Sequence, residues 1–306
     1  MGRAPTKADS GLKWSVRRRL EFIDFRLFWD ARLNRRDLID RFGISAQQAS
    51  TDIDRYMTLA PSNMEYDRVA KTFVRAAGYR PALVAGFADR FLLQLQGLQL
   101  DWIDKDQTWF DETPPAEVVR LRHRALDDAI LLPVLDGIRD RRNLEVEYWP
   151  MSGKPPGLRT IAPHALAFSD GRWHARSWNA EHGDFRDFTL NRMSRVSDLG
   201  RSDIDPGDDF EWQLKGEMIL EPNPQLSKVE QESVKREYDF QGQSLIWPTR
   251  LALIFYVKAQ HNLDVDPSRI RPSKQQLVLV NGAELDESIR AARSMSAVAL
   301  ESGRPK

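Results

Sequence analysis

The chain has 306 residues, 41% of them hydrophobic and 29% charged, and its nine Trp and fourteen Phe are too many apolar anchors for a disordered chain; the length suits about two domains of average size or three small ones. Zero cysteines exclude disulfides, thiol nucleophiles, Cys-based zinc sites and iron–sulfur clusters, while the absence of any apolar run near the roughly 18–20 residues that span a bilayer, or of a hydrophobic segment behind the basic residues of positions 1–7, predicts a cytoplasmic protein with no membrane partner. The 45 basic and 45 acidic side chains cancel overall but segregate: residues 1–80 hold 16 Lys and Arg against 10 Asp and Glu (net +6) and residues 201–240 hold 5 against 11 (net −6), which points to an anionic partner at the N-terminus.

Residues 1–13 are small and polar and predict a disordered tail. Val16, Leu20, Ile23 and Leu27 recur at helical spacing with arginines between them, so 16–29 predicts an amphipathic helix. A short helix over 35–41 follows, with Asn34 as its N-cap and Gly43 suited to the tight turn behind it. Ser45-Ala46-Gln47-Gln48 has the S-x-x-Q form of a capping box and starts a third helix that runs to about residue 59. Residues 64–67 and 72–75 read as strands flanking Arg68-Val69-Ala70-Lys71, a hairpin with basic residues near its tip.

Residues 81–142 read as a helical connector interrupted at 111–115, with a helix over 116–142 that Pro133 should kink or divide. Alternation of Leu144, Val146 and Tyr148 with Glu145, Glu147 and Trp149 marks a change to strand periodicity. Runs at 161–168, 172–178 and 185–190, separated by turn signals, predict a small antiparallel barrel over 143–200. Beyond the acidic linker of residues 203–209, strands at 217–220, 243–246 and 276–280 alternate with helices at 225–236 and 249–262, an α+β module of split βαβ type over 201–306. The chain is therefore expected to be multidomain α+β.

The sharpest local signal is the helix-turn-helix within residues 1–80. On a helical wheel Ala46, Ala49, Ile53, Tyr56 and Met57 form one arc of the third helix, and Gln47, Thr51 and Arg55 lie opposite, with Gln48 and Asp54 at the margins. Gln and Arg match the edges of adenine and guanine in the major groove, and Thr reaches a thymine methyl or a phosphate. With the basic hairpin as a wing on the backbone, the arrangement matches a winged helix-turn-helix. The candidate DNA contacts are Ser45, Gln47, Gln48, Ser50, Thr51, Asp54, Arg55, Arg68 and Lys71; a hairpin of helices that serves packing alone is the alternative.

Tyr148, Ser152, His164, Trp173, His174, Arg176, Arg186 and Arg192 sit on or beside the expected barrel strands. Alternation puts His174 and Arg176 opposite Trp173, and Arg186 on one face with Phe188. Arginines and histidines clustered with aromatics suit a phosphate or a stacked base, and three arginines in one pocket would stand uncompensated without an anion. For each residue alone a structural role competes with this reading. No P-loop, dinucleotide glycine fingerprint, H-E-x-x-H or acid-x-Lys pair occurs, and the five histidines are scattered, so neither catalytic residues nor a metal or cofactor is expected.

Three stretches belong together: Phe42-Gly43-Ile44-Ser45-Ala46-Gln47-Gln48-Ala49-Ser50-Thr51-Asp52-Ile53; Ile161-Ala162-Pro163-His164-Ala165-Leu166 continuing through Arg172-Trp173-His174-Ala175-Arg176 to Phe185-Arg186-Asp187-Phe188-Thr189-Leu190-Asn191-Arg192; and residues 248–256 with 275–281. With these stretches the chain resembles the WYL-domain winged-helix transcriptional repressors of bacterial anti-phage defence loci, the BREX- and CBASS-associated regulators. The family's naming Trp-Tyr-Leu triplet reads Trp173-His174-Ala175 here. The resemblance implies a winged helix on double-stranded operator DNA, an Sm-like barrel that senses a ligand through the eight residues above, and a C-terminal module that supports a homodimer. The expectation is a dimeric repressor of a phage-defence operon on an inverted-repeat operator, controlled by an anionic ligand such as a nucleotide or nucleic acid. An RNA- or single-strand-binding adaptor of a defence complex, and an enzyme accessory with a hydrolytic site, remain alternatives.

Overall fold

The computed structural model describes residues 12–83, 87–119 and 125–302, and the chain divides into two compact units, 1–121 and 122–306. The expected disordered tail falls largely on residues 1–11, outside the described residues.

In the first unit α1 (Trp14–Trp29) leads through a two-residue strand β1 (Arg32–Leu33) to α2 (Arg35–Phe42) and α3 (Ala46–Leu59). The Asn34 backbone N–H donates to the Asp37 carboxylate at the start of α2, and Gly43 closes that helix in the left-handed region at φ 61°, which glycine adopts without a Cβ penalty. The strands β2 (Met64–Asp67) and β3 (Thr72–Arg75) have the expected bounds and pair antiparallel from Met64↔Arg75 to Asp67↔Thr72. The short β1, which the sequence did not announce, joins β3 by Leu33↔Phe73, so the sheet order is β1-β3-β2. The core joins Leu20, Ile23 and Leu27 of α1 to Leu38, Ile53 and Tyr56, and extends to Phe91 and Leu95 of α4 (Phe87–Gln99) and to Trp109 and Phe110. Trp109 is held between two cations, with the Arg18 guanidinium carbon 4.2 Å and that of Arg90 4.4 Å from its ring centroid.

The second unit begins with α5 (Asp128–Asp140). The helix expected from residue 116 is absent over 116–119, and residues 120–124 lie outside the described residues; α5 starts where Asp127 accepts a hydrogen bond from the Ala129 N–H. Pro133 does not divide α5. The helix lies close on the sheet, because a Cβ at Gly137 would come within 2.9 Å of Pro163 and 3.0 Å of Leu144.

Five antiparallel strands follow: β4 (Arg142–Tyr148), β5 (Gly157–Ser169), β6 (Arg172–Asn179), β7 (Asp184–Thr189) and β8 (Met193–Arg201), in the order β7-β6-β5-β4-β8. Asp170 and Gly171, both at positive φ, make the tight β5–β6 turn. The expected closed barrel is corrected. Among the described residues β8 pairs with β4 and not with β7, so the sheet is open. On the face of β7 the Asp187 carboxylate accepts from the Tyr256 hydroxyl. Ile130 and Val134 of α5 pack on Leu144, Val146, Ile161, Ala175 and Phe188 on one face of the sheet.

A single helical turn, α6 (Phe210–Gln213), leads into β9 (Lys215–Pro222), α7 (Lys228–Glu237), β10 (Leu245–Arg250), α8 (Ile254–Gln260), β11 (Leu277–Leu279) and α9 (Gly282–Ser302). Both β10 and β11 run antiparallel to the central β9, so they are parallel to each other with β9 between them, which is the expected split βαβ arrangement. The long α9, which had no counterpart in the sequence reading, packs Leu285 and Ala292 on Met218, Leu251 and Ile254.

Candidate nucleic-acid interface and sensor site

The position of α3 is set by two buried polar anchors. Asp24 of α1 is fully buried and accepts from the hydroxyls of Tyr56 and Tyr79 and from the backbone N–H groups of Ala82 and Leu83. Burial first, and the Asp24 charge second, raise the Tyr56 hydroxyl well above its ordinary pKa, so it stays a donor. The second anchor is Asp52, fully buried in α3, which takes Arg19 of α1 at 2.6 Å and 3.3 Å and the Gln48 side chain at 3.1 Å. These buried charges were not singled out in the sequence; their only signal is an Asp on the border of an otherwise apolar arc.

Ser45 caps α3 by accepting from the Gln48 N–H at 3.2 Å, but the Gln48 side chain turns inward to Asp52 rather than back to the cap, so the expected capping box is half formed. Gln48 and Ser50 are half-buried, whereas Gln47, Thr51, Asp54 and Arg55 are exposed along the outer face of α3. Ser50 receives Arg35 of α2 at 3.2 Å, and the Thr51 hydroxyl donates to the Gln47 carbonyl. In the wing the Asp67 carboxylate accepts from Val69 and Ala70, shaping a tip from which Arg68 and Lys71 are exposed, with Lys71 at φ 52°. An open cleft of about 1130 Å³ lies between α2, α3 and the hairpin, lined by Arg35, Arg36, Ser50, Asp54, Tyr66 and Lys71 among others. Arg35 and Arg36, exposed at the start of α2, were not among the expected contacts.

In the second unit the eight expected pocket residues do not form one group. Arg176, only 4% exposed, is clamped by Asp209 through two hydrogen bonds of 2.7 Å and 2.9 Å, with Glu211 at 3.1 Å and Asp187 at 3.6 Å. His164 reaches the same Asp209 carboxylate at 2.9 Å. It does so because β5 has a register shift between Pro163 and Ala165 that takes His164 out of the ladder with β6. Burial pulls the Arg176 pKa down, but the Asp209 hydrogen bonds and the surrounding carboxylates more than reverse this and lift it above its ordinary value. Burial likewise opposes ionisation of Asp209, and the His164 and Arg176 hydrogen bonds win and hold its carboxyl below the ordinary range.

The expectation of three uncompensated arginines in one pocket is therefore corrected. Arg176 pairs across the ladder with Asp187, and Ser177 with Arg186, so Arg176 and Arg186 project from opposite faces of the sheet. Arg186 is half-exposed and chelated by Asp184 at 2.7 Å and 2.9 Å. His174 shares the Arg176 face and lies beside the Tyr256 ring, with centroids 5.1 Å apart and the planes tilted by 46°. Burial, aided by Arg172 and Arg192 and resisted by Asp187, depresses its pKa, which keeps it neutral near neutrality. Trp173 projects to the other face beside Phe168, the Tyr148 hydroxyl accepts from the Thr189 N–H at 3.2 Å, and Ser152 is exposed in the loop after β4. Only the end of the segment read as a linker is packed: Asp209 is buried, and with the residues just beyond it forms a strap in which Glu211 is buried, Arg293 of α9 reaches Glu211 at 2.9 Å, and Ser296 of α9 accepts from the Phe210 N–H. Among the described residues no group of three or more His, Asp or Glu is placed to hold a metal ion.

Comparison with known proteins gives three family matches along the chain: the BrxR transcriptional regulator winged helix-turn-helix domain over residues 15–97, the WYL domain over 129–197, and the BrxR transcriptional regulator C-terminal dimerization domain over 216–285. Similar proteins include the DNA-binding transcriptional repressor CapW of Pseudomonas aeruginosa, 32% identical over 295 residues that cover 93% of this chain and 95% of that one. CapW of Escherichia coli (strain KTE188) is 33% identical over 282 residues, covering 91% and 93% respectively. CapW of Stenotrophomonas maltophilia is 32% identical over 289 residues, covering 94% and 97%.

Proposed function

The chain belongs to the family of the CapW DNA-binding transcriptional repressors, and from that premise we propose that it represses transcription as a homodimer on double-stranded operator DNA. The observation that carries this reading is the outer face of α3: Gln47, Thr51 and Arg55 stand exposed on a helix whose inner face is fixed by the Asp24–Tyr56 and Arg19–Asp52 anchors. A reading helix must present its base contacts from a rigid support, because base-edge hydrogen bonds are directional. Arg68 and Lys71 on the wing, with Arg35 and Arg36 on α2, supply sequence-independent attraction to phosphates.

A two-fold dimer fits an inverted-repeat operator, since each winged helix then meets an equivalent half-site. The operator is expected to control a phage-defence operon, in keeping with the regulators the chain resembles. An anionic ligand, a nucleotide or nucleic-acid fragment, binds in the region of the WYL domain and the strap, and prefers the dimer that does not fit DNA; only such differential affinity releases the operator. Protection mapping on the DNA beside the chain's own gene tests the reading. Protected half-sites of equal sequence in opposite orientation support it, and preference for single strands in every assay would replace it with the adaptor reading.

A further inference from the structure

A cavity of about 350 Å³ opens between the edge strand β7 and α9. It is lined by Phe185, Ala297 and Leu300, by Arg293 and Glu211, and by Arg186 with its partner Asp184. The volume is at the small end of ligand pockets, and an apolar floor with a few convergent charged groups is their usual chemistry. Glu211 is the unusual member. Its side chain is 9% exposed, and its two oxygens go to different arginines: Oε1 accepts from Arg293 Nε at 2.9 Å and Oε2 from Arg176 Nη2 at 3.1 Å. A carboxylate that bridges two guanidinium groups at a cavity wall occupies the position that a phosphate would take between them.

The other carboxylates on Arg176 do not have this freedom. Asp209 is fully buried, accepts from His164 and Arg176, and caps α6 through the Trp212 N–H, and it does not line the cavity. Asp187 is tied to the Tyr256 hydroxyl at 2.9 Å. Among the described residues Glu211 has only its two arginines, and one of them, Arg293, is 68% exposed. We propose that Glu211 is an internal anion occupying a phosphate site, and that a phosphorylated ligand of nucleotide size enters the β7–α9 cavity and displaces it from Arg293 and from Arg176 behind it. This rests on the reading of the second unit as a ligand sensor, and it names the site and its gate.

Exchange of Glu211 for a ligand would also reach the C-terminal module. Glu211 belongs to the single turn α6, which is tied to α9 by the Phe210 N–H to Ser296 hydrogen bond, and α9 packs on β9. Occupancy is thereby linked to the helix behind the sheet that the dimerization-domain match covers.

The test is calorimetric titration of the full chain with AMP, inorganic phosphate and, as the uncharged control, adenosine. Glu211→Gln removes the competing charge and keeps the shape, so it should bind AMP about tenfold more tightly than the unaltered chain, while Arg293→Gln should bind it about tenfold more weakly. Adenosine should bind none of them. Melting temperatures measured on the same samples separate these effects from unfolding; Arg293, being exposed, should leave them unchanged. The proposal is overturned if Glu211→Gln shows no gain, if Arg293→Gln shows no loss, or if neither the unaltered chain nor Glu211→Gln binds AMP or phosphate. Operator binding without ligand is measured separately, so that failure of the repressor reading appears there and not in these titrations.

Discussion

Asp52 lies in the middle of α3 with no exposed surface, and its carboxylate is held by the Arg19 guanidinium of α1 at 2.6 Å. An ion pair so placed between α1 and α3 ties the two helices together, and on the proposed reading of α3 it sets which residues face outward.

Removing one partner of that pair should leave the other buried and unpaired. Asp52→Ala is expected to cost about 3–5 kcal/mol, while Arg19→Met with Asp52→Leu should recover most of the loss. Melting temperatures of the three proteins check this; an Asp52→Ala variant that melts with the unaltered chain would contradict it.

Arg176 and Arg186 should behave oppositely. Arg176→Ala strands Asp209, Glu211 and Asp187 around an empty site and should destabilise the second unit by about 3–5 kcal/mol, because buried carboxylates lose their cation. Arg186→Gln breaks a pair on a half-exposed edge and should cost about 1 kcal/mol or less. Calorimetric melting of both variants decides it, and equal stability for the two would refute the burial argument.

The contrast between those arginines also marks how far the sequence could be read. Alternation within each strand correctly grouped His174 with Arg176 and Arg186 with Phe188. What sets the two groups on opposite faces is the β6–β7 register, Arg176↔Asp187, and periodicity within a strand carries no information about register between strands. In the first unit α2, α3 and the wing strands were legible because Gly43, Ser45 and the 68–71 turn mark local boundaries. The two-residue β1 is too short to have a period, and the buried roles of Asp24, Asp52 and Asp209 depend on partners 32 or more positions away in sequence.

Assembly gives a third expectation. The core of the first unit includes Phe91, Leu95, Trp109 and Phe110, so a fragment ending at residue 80 would cut through it, and residues 1–121 are the sensible piece. That piece should be monomeric and bind an operator about 100-fold or more weakly than the full chain, having lost the linkage between half-sites. Sedimentation and titration on one duplex check both statements; full affinity in the fragment would show that the second unit does not organise the dimer.

Asp30 supplies a pH dependence. Burial raises its carboxyl to about 6, although Arg26 at 2.7 Å pulls the other way. A raised carboxyl contributes stability that is complete below the unfolded value near 4 and is lost as pH rises through about 6. Asp30→Asn removes that dependence, so its melting temperature should gain on the unaltered chain between about pH 4 and about pH 7. A constant difference across that range would show that Asp30 does not titrate there.

The measurement that tests the central claim most directly is binding of the full chain, Arg55→Ala and Lys71→Ala to the protected duplex and to a scrambled duplex at several salt concentrations. If α3 reads bases and the wing holds phosphates, Arg55→Ala loses about 1–3 kcal/mol on the protected duplex alone and relaxes preference at one position. Lys71→Ala should weaken both duplexes alike and reduce the salt slope by about one. Unchanged affinity of both variants for the protected duplex at fixed salt would contradict the account.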